Sequence, residues 1–87
     1  MQYSNYLGEL IRNQGVPNFS QTTFQTFMNV IHLEGRISGL KQAQTMTKDH
    51  PRKYELEIFR CIKKLTLLTG NLPPDQFVRT VMSRGGV

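Results

Sequence analysis

The chain has 87 residues, with 11 Lys and Arg against 6 Asp and Glu, a formal net charge of +5. That length excludes two independently folding units, a barrel or a doubly wound sheet, and 38% hydrophobic residues furnish one modest core. The single cysteine, Cys61, excludes an internal disulfide and any multi-cysteine zinc site.

Tyr3, Tyr6, Leu7, Leu10 and Ile11 recur at helical spacing and predict a first helix over about 5–14. Gly15 is its natural stop, because glycine enters positive-φ conformations without a Cβ clash. The next start is marked by Ser20, an N-cap residue type, with Phe19 before it placed to close on Phe24 as a hydrophobic staple. No proline interrupts the segment that follows, to about residue 47. Phe24, Phe27, Met28 and Ile31 share one face of it, and Val30, Leu33, Ile37 and Leu40 a nearly opposite one. Apolar residues on two sides predict a long central helix packed between neighbours, with a break near Gly35 as the alternative.

A third helix is expected to be capped by Asp49, to carry Pro51 in its first turn and to end at Gly70. Tyr54, Ile58, Cys61, Ile62, Leu65 and Leu68 form its apolar stripe. The fourth opens at Pro73-Pro74-Asp75 and buries Phe77, Val78, Val81 and Met82, with residues 82–87 expected to fray as a tail. No stretch alternates long enough to read as a strand. The expectation is a single all-α domain over 1–87, a small bundle of about four helices with an antiparallel central helix pair. No residue pattern in it carries a family signature.

Catalysis finds little support. Cys61 lies between Ile58 and Ile62 on an apolar stripe, where a thiol is a small core side chain, and neither His32 nor His50 stands at a spacing that brings it to Cys61. No His-x-x-x-His or Cys-x-x-Cys spacing holds a metal, and no glycine cluster ahead of a helix cradles a phosphate. Glu55 and Glu57 point in different directions on a helix, and Glu57 is better placed to pair with Lys53 or Lys64. The expected protein is not an enzyme and takes no cofactor or metal.

The charge is unevenly spread. Residues 1–47 are net +1 and residues 48–87 net +4, and six of the 11 basic groups fall between Lys48 and Lys64. At 100° per residue Lys53, Arg60 and Lys64 form one outward stripe on the third helix, flanked by Arg52 and Lys63, with Lys48 ahead of it and Lys41 on the preceding helix. Such a stripe suits the backbone of duplex nucleic acid. A helix-turn-helix reader over 65–84, contacting bases through Gln76, Arg79 and Thr80, is weakened by the stiff Asn71-Leu72-Pro73-Pro74 connection and by Asp75. The aromatic residues fall on apolar faces and are not interleaved with basic ones, which disfavours single-strand stacking.

Two features suggest self-association. Gly35, Gly39 and Ala43 form a small-residue series that lets another helix or subunit come close. Leu56 and Leu67 fall among the basic groups of the outward face, where leucine asks for cover. The expected function is therefore non-catalytic binding of nucleic acid through the basic face as a homodimer. The alternative is a small regulator or inhibitor that binds an acidic surface of a larger protein. The longest charge-free run, 13–33, is too polar to span a bilayer and the start lacks a secretory pattern, so an intracellular setting with no membrane contact is expected.

Overall fold

A computed structural model describes residues 2–47 and 51–85, with the side chains of residues 51 and 85 set aside. The described residues form four α-helices, α1 (Gln2–Gln14), α2 (Gln21–Met46), α3 (Pro51–Thr69) and α4 (Pro74–Gly85), with one 3-10 turn at Val16–Asn18. The all-α bundle is as expected, and α2 and α3 are its main antiparallel pair.

The boundaries at Gly15, Ser20, Gly70 and Pro74 are local devices and fall where the sequence puts them. Gly15 closes α1 at φ 78°, its N–H donating to Ile11 O at 2.8 Å. The Ser20 hydroxyl accepts from the Thr23 amide at 3.1 Å and so caps α2. Gly70 and Asn71 both turn at positive φ to end α3, and Pro74 enters the first turn of α4, where its missing N–H costs nothing. Helix α2 runs unbroken through Gly35, as the long central helix expected, and the alternative of a break there does not occur. Two expectations are corrected: α1 starts at Gln2, and α4 takes in residues 82–85 of the segment expected to fray. The expected Asp49 cap lies outside the described residues.

Two cores share the length of α2. The first joins α1, α2 and α4 around Leu7, Phe19, Phe27, Val30, Phe77 and Val78. A run of edge-on aromatic contacts threads it: Tyr3 to Phe77 at 5.8 Å, Phe77 to Phe27 at 6.2 Å, and Phe27 to Phe19 at 5.5 Å. Phe19 thus meets the ring of Phe27, and Phe24, its expected staple partner, packs against the same core. The second core is smaller. It consists of Ile37, Ile58 and Cys61 between α2 and α3, supported by Leu33, Leu40, Tyr54 and Leu65.

The buried positions of α2 are Thr23, Phe27, Val30, Glu34 and Ile37, alternating steps of four and three along one seam. Met28, expected in the core, is instead exposed. Glu34 was not anticipated there. Its carboxylate accepts the Tyr3 amide (3.2 Å), the Ser4 amide (2.5 Å) and the Ser4 hydroxyl (2.8 Å), so a residue of α2 caps the start of α1. The Tyr3 hydroxyl donates to the carbonyl of Leu72 and ties the same end to the α3–α4 turn.

These contacts orient α1 against the first half of α2 only. Beyond Glu34, α2 continues with α3 as a two-helix arm. The molecule is accordingly elongated, 48 by 22 by 20 Å, with a radius of gyration of 14.7 Å.

Candidate binding surface on the helical arm

The arm has a groove on each side of the α2–α3 seam. One is lined by His32, Leu33, Arg36, Glu57, Arg60 and Lys64, and is extended by Asn29, Leu67 and Leu68. The other is lined by Glu34, Ser38, Lys41 and Thr45 of α2 and by Glu55, Phe59, Ile62 and Leu65 of α3. Helical periodicity separates them: on α3, Glu57, Arg60 and Lys64 recur at steps of three and four toward one side, and Glu55, Phe59 and Ile62 at the same steps toward the other.

The first groove is the basic one. Glu57 draws two guanidinium groups together, at 3.3 Å from Arg36 across the seam and 3.6 Å from Arg60 on its own helix. The partner of Glu57 is therefore arginine, not the Lys53 or Lys64 expected. Lys53, Lys63, Lys64 and Arg52 are exposed and carry no ion pair among the described residues. From Lys53 to Lys64 the stripe spans about 16 Å of helix axis.

The structure thus brings Arg60 and Lys64 together with Arg36, a residue not included in the expected set, and leaves Lys53 on the same stripe. Lys63 and Arg52 lie on the outer side of α3, and Lys41 lines the opposite groove. Lys48 lies outside the described residues. The helix-turn-helix reading loses ground, because α4 packs on α1 and α2 and Arg79 is engaged with Asp75 at 3.9 Å.

The residues expected to mediate self-association are split. Gly35 and Gly39 face open space on the side of α2 away from α3, with no atom within 4 Å of where a Cβ would stand. Leu56, 61% exposed, lies on the outer side of α3, and Leu67, 77% exposed, borders the basic groove. No single flat contact takes in both sets. Sequence reasoning passed over Phe59, which is 66% exposed beside Ile62 at 41%. Its signal was available, because Phe59 falls off the Tyr54–Ile58–Cys61–Leu65 stripe by more than a quarter turn.

Cys61 is buried and unpaired in the small core. Among the described residues no three His, Cys, Asp or Glu side chains gather in a way that would hold a metal ion, and no helix is long and apolar enough to cross a membrane. Comparison with protein-family models, curated proteins and solved structures finds no match.

Proposed function

We propose that this chain is a non-catalytic binding protein that holds duplex nucleic acid by its phosphate backbone, through the basic groove and outer stripe of the α2–α3 arm. The observation that carries the reading is the stripe Lys53–Arg60–Lys64 beside Arg36. Arg36, Arg60 and Lys64 line one groove with one carboxylate, Glu57, among them, and helical periodicity puts Lys53 on the same side of α3. Exposed ammonium groups on a firm scaffold neutralise phosphates and release condensed counterions, which supplies affinity without base contacts. Arg36 and Arg60, pre-positioned by Glu57, add planar donors suited to phosphate oxygens. A single cysteine, buried in the small core, fits an intracellular setting.

Binding of a fluorescent duplex is the direct test, with the triple variant Lys53→Glu/Arg60→Glu/Lys64→Glu as comparison. Wild-type binding at low salt that the variant abolishes supports the reading. Equal binding by both proteins, or none by either, removes it.

A second reading is favoured by one observation. Leu67 is 77% exposed and shares its groove with Lys64, a mixed apolar and basic surface that also suits an acidic protein partner. One stoichiometric partner captured after nuclease treatment, and lost with Leu67→Asp, would favour this regulator reading over the first.

A further inference from the structure

The groove opposite the basic one has its own character. Its floor is apolar, with Phe59 and Ile62 exposed and Ile37, Ile58 and Leu65 beneath. Its charged rim is nearly neutral, with Lys41 and Glu55 both unpaired among the described residues. It begins at Glu34, where α1 starts, so it continues the seat that α1 fills along the first half of α2.

The whole molecule exposes too much surface for its mass. Its accessible area is 6375 Å² for a 10.0 kDa chain. A compact monomer of that mass exposes about 5,200 Å², so the excess is roughly 1,100 Å². The radius of gyration of 14.7 Å likewise exceeds the value of about 12 Å for a compact domain of this length. The excess is of the size that one partner contributes to a standard interface, about 800 Å².

We infer that this groove is where a second copy of the chain docks, arm against arm, with Phe59 and Ile62 at the centre. Two such arms make four helices, a bundle arrangement that gives each two-helix hairpin a core on its open side. Among the described residues the arm by itself buries only Ile37, Ile58 and Cys61. Charge selects a second copy over an acidic partner. One Lys and one Glu on the rim make the face self-compatible, whereas the basic face across the seam repels its own copy. The pairing leaves both basic grooves outward, and its evidence is independent of the ligand they hold.

Sedimentation velocity across a concentration series tests this directly. The wild-type chain is expected to pass from monomer to dimer as concentration rises. Phe59→Asp and Ile62→Asp, both at exposed positions that leave the fold intact by circular dichroism, are each expected to weaken dimerisation at least tenfold. Gly39→Arg on the back of α2 and Lys64→Glu in the basic groove are expected to leave it unchanged. A wild-type chain that stays monomeric throughout overturns the inference. So does a dimer that survives Phe59→Asp, or one broken by Gly39→Arg instead. Loss of nucleic-acid binding in Lys64→Glu with the dimer intact separates the two surfaces, so either reading can fail alone.

Discussion

The carboxylate of Glu34 holds both the amide and the hydroxyl of Ser4, thirty positions earlier, and by doing so marks the point at which the bundle ends and the two-helix arm begins. A negative group at the start of α1 satisfies two of the amides that a helix leaves unpaired and meets the positive end of its dipole. The same side chain forms the inner end of the apolar groove. One residue thus anchors the first helix and borders the surface proposed for association.

Removing that anchor has a measurable cost. Glu34→Ala is expected to destabilise the chain by about 2–3 kcal/mol, because hydrogen bonds to a charged acceptor are lost and helix amides are left unpaired. Glu34→Gln, which keeps an acceptor, is expected to recover part of the loss. A cycle with Ser4→Ala, followed by urea unfolding, should return a coupling of about 1 kcal/mol between the two positions.

Phenylalanine substitutions should separate core from surface. Phe27 is fully buried between two other rings, and Phe27→Ala is expected to cost about 3–5 kcal/mol. Phe59→Ala, measured in dilute protein, is expected to lie within about 0.5 kcal/mol of wild type. An equal loss at both positions would contradict the exposure of Phe59.

The glycines divide in the same way. Gly35 and Gly39 are interior helix positions with open space where a Cβ would go, so Gly35→Ala and Gly39→Ala are each expected to raise stability by roughly 0.5–1 kcal/mol. Gly70 stands at φ +64°, and Gly70→Ala is expected to lower stability by about 1 kcal/mol or more. Thermal unfolding of the three variants gives the signs directly.

The Arg36–Glu57 pair is exposed, and Arg36→Ala is expected to change stability by less than about 1 kcal/mol. Its larger effect should fall on binding. Each phosphate contact removed reduces the slope of log affinity against log salt by about 0.9, so Lys53→Ala/Lys64→Ala is expected to flatten it by nearly two units. An unchanged slope would show that these lysines do not meet phosphates.

The amino-acid sequence by itself determined the helices and most of their ends. Ser20, Gly15, Gly70 and Pro74 act within one turn of chain, through an amide accepted, a positive φ allowed or a missing donor placed where none is needed. The concentration of positive charge on α3 was equally plain, because helical periodicity places Lys53, Arg60 and Lys64 on one side whatever they pack against. What a residue is covered by, however, depends on where other elements stop. Helices α1 and α4 flank only the first half of α2, so the same kind of apolar side chain is buried at Phe27 on α2 and bare at Phe59 on the arm. For the same reason Glu34, an ordinary acidic residue in the middle of a helix, became a cap, and Lys41 was parted from Arg60 and Lys64 by the seam. Spacing along one helix shows which residues share a side, and only the packing of one helix on another decides which side is left open.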